Sequence, residues 1–596
     1  RTITRVSRAD VERAPVQSLA DLLKLTPGVD VRQRGPCGAQ ADVSLRGSTF
    51  DQTMVLLNGI NISDPQTGHL SLSLPVDLES IEKIEILEGP AARIFGSNAL
   101  GGAVNLITGT GEDSYLKAGV AGGQYGLYRA SAAGSLHTRR TAHHLAASRT
   151  ASDGYMHNTG FDNLNVFSQN KWKNAVLPLD MQLGYLQKET GANGFYGAKY
   201  PDQYEAIRNF FGALKAETTG RTSISASLSW RRNYDHYLLN RNRPEDYENF
   251  HLTDVYGGNF TASLAGSAGR TNIGAFVRGE HIFSNNMGVA TAVPRKVPRQ
   301  AGKHYDKADR RTSVTVFAEH NLHRKKWSAS AGLSLNRNSY TGNKINLYPG
   351  VDLACYPGRL WKLFASVNRA MRLPTFTDLY YQSPMITGNR HLKPERCTEA
   401  ETGAKISLQG MEARLGYFYR HTADAIDWIR FVPEEPWHTQ NLTELRTHGL
   451  SLDASWNVQT MYGGCWIRSA SASFRWMTCD KSSGEYMSYY VLDYLKRRFS
   501  FSFDHRIFRK INAAWYINRQ VRNGSYSQYH PQDGTESEVP YEAFWQIDLR
   551  IYYRTPRWNI FAEATNLTNR RHQDIGNITL PGIWARAGVE VTVFQQ

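Results

Sequence analysis

From about residue 111 to its end, the chain alternates apolar and polar residues in segments separated by Gly, Asn, Asp and Pro clusters. Ala413, Leu415, Tyr417 and Tyr419 alternate with Arg414, Gly416, Phe418 and Arg420. Ile547, Leu549, Ile551 and Tyr553 alternate with Asp548, Arg550, Tyr552 and Arg554, and Ala587, Val589, Val591 and Val593 with Arg586, Gly588, Glu590 and Thr592. A period of two belongs to a strand, whose successive side chains point to opposite faces. One face is oily and the other wet. In a soluble sandwich the oily face is the core; in a transmembrane barrel it meets lipid and the wet face lines the lumen. Alternation alone leaves both open. No apolar run reaches the roughly 18 residues of a spanning helix, and mean hydropathy is −0.48. Spanning helices are thereby excluded, whereas a closed barrel is not.

Composition narrows the choice. With 596 residues the chain exceeds one ordinary soluble core. Hydrophobic residues at 41% and charged residues at 21% exclude a disordered chain. Its 31 Tyr, 24 Phe, 13 Trp and 50 Gly suit a strand-rich membrane barrel. Trp230, Trp327, Trp361, Trp428, Trp456, Trp466, Trp476, Trp515, Trp545, Trp558 and Trp584 sit near expected strand ends. Interfacial belts and cross-strand packing both account for them, and their spread along the body favours belts. Short turns such as 323–326 contrast with long polar insertions at 284–309, 378–394 and 522–540, as in outer-membrane barrels. The net charge of +15 is scattered among acids, as in 243–246 and 303–311, with no zinc spacing, RNA-binding signature or basic helix, so nucleic acid is not expected as a partner.

None of the five cysteines, Cys37, Cys355, Cys397, Cys465 and Cys479, forms a CxxC pair. Disulfides 465–479 and 355–397, or free buried thiols, both remain open. The chain begins Arg1-Thr2-Ile3-Thr4 without a signal peptide, so we expect its start to be processed or not represented.

The first 110 residues read differently, as a small mixed α/β domain. Ser18 and Asp21 form a capping box before a helix with Leu19, Leu22 and Leu23 on one face, which Pro27-Gly28 stops. Val29–Val31 and Val43–Leu45 are strands; Thr53–Leu57 and Ile60–Ile62 flank the hairpin dipeptide Asn58-Gly59. Ile81–Leu87 is a strand, Pro90 opens a short helix that Gly96 closes, and Gly101–Thr108 returns as a strand.

The stretches Ser18–Val31 (SLADLLKLTPGVDV), Val43–Gly47 (VSLRG), Val55–Ile60 (VLLNGI), Ile81–Gly96 (IEKIEILEGPAARIFG) and Gly101–Thr108 (GGAVNLIT) resemble, in order and spacing, the plug domain of TonB-dependent outer-membrane receptors. Asn368–Pro374 (NRAMRLP), Gly388–Glu395 (GNRHLKPE) and Phe561–Asn569 (FAEATNLTN) resemble recurring segments of the family's barrel. The resemblance implies an all-β transmembrane barrel of 22 antiparallel strands in the outer membrane, residues 111–596, with an N-terminal α/β plug, residues 1–110, inside its lumen. Spread over that many strands, the body leaves about 22 residues per strand and connection, against about 9–11 needed to cross the membrane core. The chain departs from the family in showing no TonB box before Thr2, in Phe95 where Tyr is usual, and in Gln595 and Gln596 following Phe594 at the terminus.

The implied mechanism is capture outside and partial plug extraction by TonB, without covalent chemistry. Consistently, there is no GxSxG or HExxH, no phosphate loop in a strand–helix context, and 18 dispersed histidines. No enzyme, cofactor or resident metal is expected. Plug apices at 33–42 and 61–72 offer Gln33, Cys37, Gln40, Asp64, Gln66, Thr67 and His69 to a large polar ligand; in the barrel, Phe195, Tyr196, Tyr200 and Tyr204 offer rings for stacking. Solvated loops and rim packing are the alternative reading of both sets. Arg46, between strand 43–45 and Gly47, is expected to be buried and paired with a barrel carboxylate, with Glu563 a candidate.

The plug stretches 35–45 and 58–75, and the chain length, resemble most the cobalamin (vitamin B12) receptors, particularly the Bacteroidetes type, which implies cobalamin or another cobamide as transported substrate. The acids Asp202, Glu205, Asp235, Glu245, Asp246 and Glu248 weigh against the loop calcium site of some such receptors. Haem receptors resemble the chain at the same barrel segments but place a histidine between them; here His391 lies just beyond, with His69 as a plug counterpart. Ferric siderophores are a third reading, drawn by a basic mouth of Arg241, Arg243, Arg295, Lys296 and Arg299, residues that also suit lipopolysaccharide. The resemblance also implies a surface lipoprotein cap as partner. A passive porin or a secreted β-sandwich adhesin is the alternative class.

Overall fold

The computed structural model describes residues 3–37, 39–173, 177–383, 385–432, 435–481, 486–576 and 578–595. The expectations at Arg1, Thr2 and Gln596, and single positions inside the 33–42 and 378–394 segments, lie outside the described residues. The body closes into a 22-strand antiparallel barrel, running from strand Tyr115–Gly123 to strand Trp584–Gln595, which pair with each other through Val589↔Val120. No described helix is long and apolar enough to cross a membrane.

Its sidedness settles what alternation left open. In strand Met411–Arg430, Leu415, Tyr417 and Tyr419 are exposed while Gly416, Phe418 and Arg420 are buried. In strand Phe544–Arg554, Ile551 and Tyr553 are exposed while Asp548, Arg550 and Tyr552 are buried. The oily face points outward and the polar face inward, the reverse of a sandwich core, and fits a lipid-facing barrel wall. Trp327, Trp361, Trp466 and Trp558 stand exposed at the short-turn end and Trp545 at the other, whereas Trp428 and Trp584 are buried inside. The tryptophans therefore divide between belts and interior.

Loops at one end are as short as 267–268 and 509–510, while the opposite end carries segments 285–303, 373–394 and 523–543. The last of these folds into a separate hairpin, Ser525–His530 against Thr535–Pro540.

Inside the barrel sits the N-terminal domain. Strands β1 (Ile3–Ser7), β4 (Thr53–Leu57), β5 (Ile60–Asn61), β6 (Ile81–Glu88) and β7 (Gly102–Thr108) form a sheet in the order β1-β6-β7-β4-β5, with β4 and β7 parallel. Strands β2 (Val29–Gln33) and β3 (Ala41–Leu45) make a hairpin beside helix α2 (Leu19–Leu25), which follows helix α1 (Arg8–Arg13). The α2 capping box forms: Asp21 N donates to Ser18 Oγ at 3.2 Å, and Ser18 N to Asp21 Oδ2 at 3.0 Å. Asn58 and Gly59 take φ of 52° and 83°, closing the β4–β5 hairpin. The short helix before Gly96 spans Ala92–Phe95, so Pro90 precedes its N-cap rather than opening it. Leu23, Val29, Leu45, Val55 and Ile84 pack into one core that also takes Phe167 and Phe211 from the barrel wall. The last strand of this sheet ends at Thr108 and the first barrel strand begins at Tyr115.

All five cysteines are free, and neither of the two bridges left open above fits the strands. Cys465 and Cys479 lie at opposite ends of strand Ile467–Lys481, roughly 45 Å apart at a rise of about 3.3 Å per residue. Cys355 and Cys397 align with Leu363 and Ala370 on the strand between them, so they are out of register.

Candidate functional site

A cavity of about 670 Å³ lies above the plug at the long-loop end. Its floor includes Phe50, Gln66, Thr67 and His69, and its walls Tyr196, Trp428, Trp437 and Tyr490. The plug apex is fixed there by main-chain bonds: Phe376 N donates to Pro65 O at 2.9 Å and Thr377 N to Gln66 O at 3.0 Å. Among the described residues, seven tyrosines, two tryptophans and eight carboxylates line the cavity, against one arginine, Arg430. Such a surface offers rings for stacking and many oxygen acceptors, with little to neutralise a polyanion.

Of the expected ligand residues, Gln66, Thr67, His69, Phe195 and Tyr196 line this cavity together. Gln40 lies one layer below, donating to Tyr196 Oη at 2.5 Å. The others make different contacts. Gln33 is held in the β2–β3 hairpin and donates to Asp21 at 2.8 Å; Cys37 donates to Gln17 at 2.7 Å; both face a separate small cleft. Asp64 is buried against Arg231 at 3.2 Å. Tyr200 closes a turn onto Gly197, and Tyr204 stacks under Arg241 at 5.0 Å. Sequence reasoning missed Trp428, Trp437, Tyr489 and Tyr490; the dense run Tyr486–Tyr490 was the signal available.

The acids weighed above for calcium are dispersed: Asp202 pairs with His157, Asp246 with Arg243, and Glu248 with His236 and Lys303. Among the described residues no cluster of three potential ligands stands together. None of Arg241, Arg243, Arg295, Lys296 and Arg299 lines the cavity, so the basic mouth expected for siderophores does not face it. His391 lines a different depression from His69.

His69 is built into the floor. Its Nδ1 lies 2.6 Å from Asp42 Oδ1 and 3.1 Å from Arg34 Nη1, its Nε2 faces Tyr490 Oη at 3.4 Å, and its ring stacks on Phe50 at 4.1 Å. Burial lowers its proton affinity below the ordinary 6.5; Asp42 opposes this and the guanidinium groups of Arg34 and Arg32 reinforce it. A folded-state value below the unfolded one means stabilisation present above pH 6.5 and lost as pH falls below it. Hydrogen-exchange protection around 64–72 should therefore weaken between pH 7.5 and 5.5, and His69→Asn should flatten that slope. An unchanged slope in the variant would refute the assignment.

Beneath the cavity, Arg46 holds plug to barrel. It is buried, with Nη1 2.5 Å from Glu399, Nη2 2.8 Å from Glu401 and Nε 3.2 Å from the plug's own Glu88. Glu563 is not its partner: this carboxylate is shared by Arg550, at 2.6 Å, and Arg586, its neighbours on flanking strands. Further arginines reach the plug main chain: Arg498 donates to Val29 O at 2.6 Å, Arg231 to Ile62 O at 2.7 Å, Arg278 to Ser63 O at 2.6 Å and Arg586 to Val16 O at 2.6 Å.

A barrel with an apolar outside, stoppered by its own N-terminal domain and holding a ligand-sized cavity above the stopper, is an outer-membrane transport receptor, with no catalytic apparatus implied. The model described as "TonB dependent receptor-like, beta-barrel" matches residues 101–567, and "TonB-dependent Receptor Plug Domain" matches residues 1–103. The chain belongs to the TonB-dependent receptors, and as such works with TonB to transport a large nutrient across the outer membrane. It is 25% identical to the vitamin B12 transporter BtuB of Vibrio vulnificus over 76% of this chain and 72% of the relative, and 25% identical to that of Photobacterium profundum over 77% and 74%. Solved structures share the fold: the siderophore receptor PirA of Acinetobacter baumannii (TM-score 0.76, 16% identity, 99% and 98% of the two chains) and the copper transporter OprC (0.80, 15%, 99% of each).

Proposed function

We propose that the receptor imports cobalamin or a related cobamide. The observation that carries this reading is the lining of the cavity, tyrosine-rich and acidic, with a single arginine among the described residues. A cobamide presents a broad ring edged with neutral amides, which such walls stack on and bond. A polyanionic ferric siderophore or the propionates of haem would meet carboxylates instead. Similarity to proteins named as vitamin B12 transporters supports the same substrate. The arginines and lysines outside the cavity are proposed to face lipopolysaccharide, and a surface lipoprotein cap is proposed as a partner by family resemblance.

Equilibrium titration of the purified receptor with cyanocobalamin tests the substrate. Saturable binding at submicromolar ligand is expected, with haemin and a ferric catecholate at least about 100-fold weaker, a gap of about 2.7 kcal/mol. Tighter binding of either competitor would reverse the assignment.

A further inference from the structure

Among the described residues, Gln66, Glu205 and Asp235 on the cavity lining each keep an oxygen with no hydrogen-bond donor, and a fourth such oxygen, Asp493 Oδ1, faces Arg522 at 3.6 Å. Gln66, Glu205 and Asp235 are 4%, 3% and 7% exposed, and all three line the cavity. Gln66 Nε2 donates to Asp235 Oδ2 at 2.6 Å, leaving Gln66 Oε1 and Asp235 Oδ1 unpartnered. Glu205 Oε1 accepts from Tyr196 Oη at 2.9 Å and from Gln40 Nε2 at 3.4 Å, while its Oε2 accepts nothing. Lys188 lies close enough to act on Glu205, but no cation pairs with Asp235 among the described residues; its charged neighbours are Glu205 and Asp64. Buried acceptors without donors are costly, and native structures satisfy them with a ligand, an ordered water or an ion.

We propose that Gln66, Glu205 and Asp235 form an acceptor site at the cavity floor that takes the N–H donors of a primary amide on the transported molecule and turns away a carboxylate in the same place. The inference rests on the cobamide reading and deepens it, because it assigns recognition of the ring-edge amides to named atoms. An amide NH2 carries two donors and can bridge Asp235 Oδ1 and a neighbouring acceptor. A carboxylate would bring only lone pairs against lone pairs. Selection of this kind discriminates strongly, since the wrong group leaves buried acceptors unpaired as well as adding repulsion.

The test compares cyanocobalamin with its monocarboxylic acids, in which one ring amide is hydrolysed, on the full chain in detergent. At least one acid isomer should bind the wild type 10-fold or more weaker than the parent. Asp235→Asn replaces an acceptor by a donor and should lower affinity for the parent while raising it for that acid. Equal affinities for parent and all isomers, or an unchanged ratio in Asp235→Asn, would overturn the acceptor site and leave the cobamide reading standing. Binding abolished by a calcium chelator would also overturn it, making the oxygens a cation site. Haemin and its bis-amide are titrated in parallel. Amide preference kept on that pair, with no binding of cyanocobalamin, sinks the cobamide reading and retains the acceptor site. If no probe binds, the melting temperature of the empty receptor decides: a rise on Asp235→Asn supports a carboxylate kept for a ligand, and a fall overturns it as a structural one.

Discussion

Arg46→Ala should release the plug's grip on the barrel and abolish transport. The substitution removes one cation from among three buried carboxylates, Glu88, Glu399 and Glu401. Two come from the barrel and one from the plug, so the loss is concentrated at their interface. Removing one partner from a buried ionic cluster costs about 3–5 kcal/mol, and the more distant Arg414 and Arg475, 3.8 and 3.7 Å from Glu88, and Arg420, 3.9 Å from Glu399, offset only part of it. Arg420, which donates to the Arg46 carbonyl, remains but is already committed to that contact and to Glu399. The measurement is protease or hydrogen-exchange accessibility of the plug in the detergent-solubilised receptor, alongside uptake in cells. Wild-type protection with wild-type uptake would remove Arg46 from its role. Glu563→Gln serves as the contrast: it disturbs Arg550 and Arg586 but should leave the Arg46 cluster in place.

The second large effect concerns the outer wall. Leu415→Arg should cost about 2–4 kcal/mol in folding into vesicles if position 415 lies near the bilayer midplane. Leu415 is exposed on a face shared with Tyr417 and Tyr419, where lipid is the surrounding solvent. Arg420, on the opposite face of the same strand, carries a charge in the native protein because that face is the lumen. Urea titration of refolding into vesicles reads the difference. A midpoint equal to wild type would mean that the exposed apolar face meets water, and the barrel assignment would fail with it.

Much of the fold was legible because its causes are local. The period-two alternation, the Ser18–Asp21 box and the Asn58-Gly59 turn each depend on neighbours a few residues away. What alternation could not say was which face is inside, since both architectures give the same string; burial of Arg420 and Asp548 decided it. The β1 strand escaped because its antiparallel pairing with β6, Ile3 opposite Leu87, is set by tertiary packing. Arg46 was found from its place in a buried turn, but its partner was not, because Glu399 lies 353 residues away and nothing in the sequence ties the two. The cavity was half legible. Plug apices stand out as irregular polar segments, whereas Trp428, Trp437 and Tyr490 come together only when distant strands close the ring. Gln33 and Cys37 looked like apex residues and are instead consumed inside the plug, where their polar atoms already have partners.

Beside barrel arginines that pair with plug carboxylates, such as Arg129 with Asp77 and Arg522 with Asp30, four others reach peptide carbonyls, those of Val16, Val29, Ile62 and Ser63. A hold of that kind is indifferent to which amino acid occupies the position. Mutation can therefore rewrite the apices that meet cargo without loosening the docking, and a lineage can acquire a new nutrient while inheriting the same gate.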